Sequence, residues 1–216
     1  MIHSGSRAMG QAVRGHHLSR AAPAGPGGLR AVDVREDVGK AYANDVTWAR
    51  AYAAANRDAI ADAVIDVLRE ELGLRADDAS RFGCDHNHVA LEAHFGREYW
   101  VHRKGAAPAR NGVAGILPGS MGTLSYHVEG RGCAESLHSS AHGAGRSHSR
   151  EHAKRRFTQR DLLQQMAGVW WDFRLANQLR DESPKAYKDV RAVLRAQHEL
   201  VKVVRTLKPV LVYKGE

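Results

Sequence analysis

The stretch from Gly83 to Gly145 constrains this chain more than any other, because glycine recurs densely there and no three- or four-residue hydrophobic step survives. Such a segment resists helix formation, since each interior glycine costs a helix roughly 1 kcal/mol relative to alanine. Short runs such as Tyr99–Val101 and Leu124–Val128 sit between turn residues and read as strands. Outside this region the pattern turns helical. Val46, Ala49, Ala53, Ile60, Val64, Val67 and Leu68 recur at helical steps, and Gly73 stands where a helix would stop. That spacing predicts an amphipathic helix over 44–72, straight or bent at Asn56, preceded by a Pro/Gly loop at Ala21–Gly28. Thr158 with Asp161 offers a capped helix start, with Leu162, Met166, Val169, Trp170 and Phe173 as its apolar face. A last helix is expected after Pro184, aligning Tyr187, Val190, Val193, Leu194, Val201 and Val204, and Val210–Tyr213 has the pattern of a short buried strand.

The expected fold is therefore α+β, a mixed Gly-rich β core flanked by helices. It divides into a loop and helical insertion over 19–82, a β region carrying the site over 83–146, and helices with a terminal strand over 147–216. Lysine and arginine exceed aspartate and glutamate by 32 − 24 = 8, which favours polyanionic partners, nucleic acid first among them. No apolar run approaches the ~20 residues that span a bilayer. The first ten residues hold no signal-like apolar stretch, so a cytoplasmic location with no membrane partner is expected. Cys84 and Cys133 form no CxxC pair and read as reduced thiols.

Three segments can carry chemistry. Cys84-Asp85-His86-Asn87-His88 is rich in ligand types, but neighbours in extended chain point in opposite directions, so all five cannot bind one ion. One of its histidines paired with a distant one, such as His3, is the plausible metal reading; a polar loop with hydrogen-bonded histidines is the other. Leu117-Pro118-Gly119-Ser120-Met121-Gly122-Thr123 combines glycine with hydroxyls, suiting either close approach to a ligand or a tight turn. It is no Walker loop, lacking Gly-Lys-Ser/Thr. Ser139-Ser140-Ala141-His142-Gly143-Ala144-Gly145-Arg146 places a histidine before small residues whose N–H groups can bind phosphate oxygens. His142 could attack phosphorus as a nucleophile, or be a structural histidine in a turn. Arg146, Arg150, Lys154, Arg155, Arg156 and Arg160 follow, either a solvated helix face or a surface for an RNA backbone. His16, His17, His148 and His152 read as surface residues.

Taken in order, HSGSR (3–7), HNHVALEAHFG (86–96), VHRKGA (101–106), GILPGSMGT (115–123), SSAHGAGR (139–146), AYKDV (186–190) and the terminal Lys214-Gly215 resemble the RtcB-type RNA-splicing ligases over nearly the whole chain. The resemblance implies a GTP- and Mn²⁺-dependent enzyme. It would join RNA ends bearing a 2′,3′-cyclic phosphate or 3′-phosphate to 5′-hydroxyl ends, the substrates being tRNA halves or broken RNA. In that resemblance His142 matches the histidine that accepts GMP, and His3 and His86 match two manganese ligands. Nucleotide-contacting positions are matched by His86, Asn87, Pro118, Gly119, Ser120, Met121, Ser125, Gly143, Ala144, Gly145, Tyr187 and Lys214. Family members also carry an upstream Asp/Cys metal pair and an Asn-His-Phe segment that this sequence lacks. The fold is accordingly expected to be truncated at its N-terminus, with His3 at the end of a strand. Activity is expected to need an amino-terminal ligase fragment or an accessory protein. The alternative is a non-catalytic RNA-binding remnant of such a ligase.

Overall fold

The computed structural model describes residues 1–214, so Gly215 of the terminal Lys-Gly match lies outside the described residues. Two compact units are present, Met1–Gly83 and Cys84–Glu216. In the first, residues 1–6 have no regular structure, and α1 (Arg7–Arg20) follows directly. The strand expected to lead into His3 is not there. Its place is taken by irregular chain held through Ser4, whose Oγ accepts from Asn56 Nδ2 at 3.0 Å. α1 carries too few apolar residues for periodicity to reveal it. A two-strand ribbon, β1 (Ala22–Pro23) with β2 (Arg30–Ala31), interrupts the expected loop. α2 then runs unbroken from Asp37 to Leu72, straight through Asn56, and ends at Gly73, whose φ of 63° is left-handed. His17 is buried, not a surface residue: its Nε2 lies 2.7 Å from Asp45 Oδ2, which supplies the polar partner a buried imidazole needs.

The second unit holds the β structure. β3 (Asn87–His94) and β4 (Arg97–Lys104) form a hairpin in continuous register, from Asn87 opposite Lys104 to His94 opposite Arg97. β5 (Ala106–Pro108) pairs with β8 (Ser139–Ala141). β6 (Ala114–Leu117) and β7 (Ser125–Gly130) join β10 (Val201–Leu207) in an antiparallel sheet ordered β10-β7-β6. β9 (Trp170–Trp171) pairs in parallel with β11 (Leu211–Val212). The helices are short: α3 (Arg150–Arg156), α4 (Gln159–Gln165) and α5 (Val190–Ala196).

Two expectations from helical spacing need correcting. Val201 and Val204 are in a strand, because their β-branched run packs along β7, and α5 has already ended at Ala196. Val169, Trp170 and Phe173 lie beyond α4; Gly168 at φ +81° turns the chain into β9 instead. The terminal strand forms as expected, but Val210, Leu211 and Tyr213 are exposed.

Among the described residues three apolar clusters hold this unit. One gathers Ala109, Leu117, Tyr126, Val128, Ala144, Val190 and Val201, a second Met121, Leu162, Met166, Trp171 and Ala176, and a small third Ala153, Phe157 and Ala186. The first two each contain a residue from a candidate loop, Ala144 in the first and Met121 in the second. Those loops are therefore anchored in packed interior.

Candidate nucleotide site

His142 opens a short segment that is tied, residue after residue, to every other candidate segment of the second unit. Ala141 is paired with Ala106 across β8 and β5. The His142 N–H donates to Gly105 O at 3.3 Å, and Ala144 N–H donates to Pro118 O at 2.9 Å. Lys188 N–H donates to Gly145 O at 3.0 Å, and Arg146 bridges to Tyr187. Residues 141–146 thus form a seam on which the 105, 118 and 187 segments converge.

The imidazole of His142 is oriented by main chain. Its Nδ1 lies 2.6 Å from Gly105 O. A carbonyl oxygen can only accept, so Nδ1 carries a proton, and Nε2 is the nitrogen that holds the lone pair in the neutral ring. The His86 ring lies with its centroid 4.5 Å away, tilted by 35°, and His86 O in turn accepts from Gly105 N at 3.2 Å. Gly105 is the joint between the two histidines. Its φ of +73° belongs to the left-handed region, and a Cβ there would touch His142 Cε1 at 3.4 Å.

The rest of the Cys84–His88 cluster separates as expected from chain geometry. His88 is buried with Nδ1 2.9 Å from Asp85 Oδ1, while Asn87 is exposed at the start of β3. Among the described residues no group of three or more His, Cys, Asp or Glu is placed to hold a metal ion. His3 belongs to the first unit and His86 to the second.

The Pro118–Met121 turn is closed by hydroxyls. Ser120 N–H donates to Thr123 Oγ1 at 2.7 Å, the two hydroxyls lie 2.9 Å apart, and Gly119 N–H donates to Ser125 Oγ at 3.3 Å. Ser125 is buried, so its hydroxyl braces the turn. Gly119 is required by close approach, since a Cβ would come 2.2 Å from Leu124 O. The side chain of Met121 points into the core, leaving only backbone for a ligand.

At the far end of the seam the charges are more committed than sequence suggests. Arg146 stacks its guanidinium 4.8 Å from the Tyr187 ring centre, donates to Tyr187 Oη at 2.9 Å and to His148 O at 3.0 Å, and also bonds Asp181 O. Arg150 donates to Asp181 and Glu182, each at 2.6 Å. Lys154 approaches Asp181 at 4.0 Å. Much of the anticipated basic face is therefore met by two acids that sequence reasoning passed over. Arg155, Arg156 and Arg160 are exposed. His148 and His152 stack edge-on, with centroids 4.8 Å apart. Tyr187 donates its hydroxyl to Glu182, and Lys214 Nζ lies 3.6 Å from the same carboxylate. Burial, with the Glu182 charge, pushes the Tyr187 phenol up to about 12.

The arrangement brings together an imidazole oriented by main chain, two glycine-containing turns, and an ammonium and a phenol that share one carboxylate. Gly105 and Glu182 join it although motif reading singled out neither; Gly105 lies inside the VHRKGA match, whereas nothing local marks Glu182.

The family described as tRNA-splicing ligase RtcB matches residues 1–215. RNA-splicing ligase RtcB of Escherichia coli (strain K12) is 39% identical over 228 aligned residues, covering 100% of this chain and 55% of the relative. RNA-splicing ligase RtcB of Mycobacterium bovis is 32% identical over 244 residues, covering 100% and 56%. The tRNA-splicing ligase RtcB of Methanopyrus kandleri is 32% identical over 259 residues, covering 100% and 26%. The chain spans about half the length of the first two of these relatives and about a quarter of the third. With a match running from its first residue to its last but one, this chain belongs to the RtcB tRNA-splicing ligase family.

Proposed function

We propose that this chain carries the guanylate-accepting machinery of an RNA ligase that uses GTP to join 3′-phosphate or 2′,3′-cyclic-phosphate ends to 5′-hydroxyl ends. The observation that carries the reading is the Nδ1 contact of His142 with Gly105 O, 2.6 Å long, which makes Nε2 the attacking nitrogen of the neutral ring. In the first step Nε2 bonds to the α-phosphorus of GTP and the α–β bridging bond breaks, releasing pyrophosphate. The proton stays on Nδ1, donated to Gly105 O, and that hydrogen bond stabilises the imidazolium character that develops. The guanylate then passes to the RNA 3′-phosphate, and the 5′-hydroxyl displaces GMP, restoring His142.

In the Pro118–Met121 turn and the Gly143–Gly145 loop the Gly119, Ser120 and Ala144 amides already donate inside the chain, which leaves those of Met121, Gly143 and Gly145 for phosphate oxygens; held in place, they cost no reorganisation when charge develops. Asn87, Tyr187 and Lys214 are assigned to the nucleoside by the family resemblance; Ser125 braces the turn from beneath. Manganese is the metal that the resemblance implies, with His86 as a candidate ligand here, and His3 enters only through that resemblance. Two such ligands do not amount to a closed set, so no step above is routed through the metal.

RNA, as tRNA halves or broken strands, is the proposed substrate. An amino-terminal ligase fragment or an accessory protein is the proposed partner. The test is to incubate the chain with α-labelled GTP and Mn²⁺, with and without an amino-terminal portion of an RtcB ligase, and to follow acid-labile label. Label on the wild type and none on His142→Ala is expected. No label on the wild type in either mixture would sink the reading, and salt-dependent RNA binding without it would favour the non-catalytic alternative.

A further inference from the structure

Glu182 closes a 3₁₀ turn, Gln178–Glu182, and its side chain is only 12% exposed. Among the described residues it collects four groups: the Tyr187 hydroxyl five residues on, Arg150 at 2.6 Å, Lys214 at 3.6 Å and Arg146 at 3.9 Å. Burial pushes its carboxyl up, but the Tyr187 hydroxyl, Lys214 and Arg150 pull it down further, so it stays ionised below the usual carboxylate range.

A largely buried carboxylate held by two hydrogen bonds and flanked by two further cations is a fixed point, and its neighbours take their directions from it. Tyr187 gives its only proton to Glu182 while its oxygen accepts from Arg146, so its hydroxyl is used within the chain. What it can offer a ligand is the part of its ring that Arg146 and the apolar interior leave uncovered. Lys214 is drawn to the same carboxylate as an ion pair at 3.6 Å, which restricts where its ammonium sits and leaves its N–H donors for a ligand. A lysine side chain loses rotamer entropy on binding, and prior ordering removes part of that cost.

We propose that Glu182 is the positioning residue of the nucleotide site, aiming Lys214 and fixing the Tyr187 ring without itself touching the reacting atoms. This rests on the functional reading above and names how its base-binding end is built. No sequence motif marks Glu182, and the resemblance assigns it nothing.

The test pairs a nucleotide-free readout with a nucleotide-dependent one. Without nucleotide, ultraviolet titration of Tyr187, taken as the difference from Tyr187→Phe, should show late ionisation in the wild type and earlier ionisation in Glu182→Gln. An unmoved titration overturns the proposal whatever the chain binds. With a GTP analogue methylene-bridged between its α- and β-phosphates, Glu182→Gln should bind about tenfold more weakly, the loss expected for one charge-assisted hydrogen bond. Lys214→Met should lose a similar factor, and the double variant little more than either alone. Glu182→Asp, which keeps the charge, should recover part of the loss and guards against misfolding of the glutamine variant. Analogue binding by Glu182→Gln equal to the wild type, or losses that multiply in the double variant, would overturn the positioning role alone. A wild type that binds no analogue while the tyrosine titration shifts as expected would bring down the functional reading, and the positioning role with it.

Discussion

At the scale of the residue, the chemistry depends on one carbonyl. Gly105 O fixes the tautomer and direction of the His142 ring, and Gly105 can do so only because its backbone sits at φ +73°. Gly105→Ala should therefore destabilise the chain by about 1–2 kcal/mol through left-handed strain, a change readable as a lower denaturant midpoint. The added methyl meets the ring at ordinary contact distance, so His142 should still label, at a reduced rate. A second residue-scale prediction concerns Glu92. The buried Arg103 guanidinium grips its carboxylate, and His94 Nε2 lies 3.0 Å from it, which holds the Glu92 carboxyl at about 2 instead of 4.5. A carboxyl depressed by folding stabilises the fold above its unfolded pKa and stops doing so as pH falls through its folded one. Urea midpoints should accordingly drop between about pH 4.5 and about pH 2, and Arg103→Gln should flatten that drop. Arg103 also donates to Ser139 Oγ and Leu137 O, each at 3.0 Å, so this pair braces the chain just before His142. The small-residue setting that makes His142 a candidate is written in the sequence. The histidine's partner is a carbonyl 37 residues away, and carbonyls carry no residue identity.

At the scale of the element, signals at the ends of helices proved clearer than those along them. Thr158 and Asp161 form the reciprocal cap that their spacing announces, with Thr158 N–H donating to Asp161 Oδ2 at 2.8 Å and Asp161 N–H to Thr158 Oγ1 at 3.1 Å. Thr158→Ala should cost about 1 kcal/mol by removing that cap, measurable by thermal unfolding. Leu162, buried completely one turn later, is a larger lever: Leu162→Ala should cost about 2–5 kcal/mol as a cavity opens against Met166 and Trp171. Periodicity failed where apolar residues run close together. Val201 and Val204 fit a helix face on paper, yet a β-branched run beside an open edge of β7 pairs as strand. α2 was legible over most of its length because 36 residues give the hydrophobic step many repeats. α1 was not, because it has too few.

At the scale of the whole molecule, formal charge overstated the basic face. The excess of eight positive charges is real, but Asp181 and Glu182 engage Arg150, and Asp181 also meets Lys154, close to where an anion was expected to dock. If RNA uses the remaining exposed cations, Arg155, Arg156 and Arg160, the logarithm of affinity should fall linearly with the logarithm of salt. Charge-reversing one of them should lower that slope by roughly one, or somewhat less for single strands. The α+β character and the Gly-rich β setting of the site could be read in advance because glycine, turn residues and alternation are local signals. The convergence of three segments on residues 141–146 could not, because it is made of main-chain bonds between distant parts of the chain.

That seam has a practical consequence. Because 141–146 is stitched to its neighbours by peptide groups, erasing the imidazole at 142 removes no stitch that closes the fold. A silenced chain should keep its native shape, stall before the first bond is made, and serve as bait for whatever strand or nucleotide its intact counterpart would have consumed.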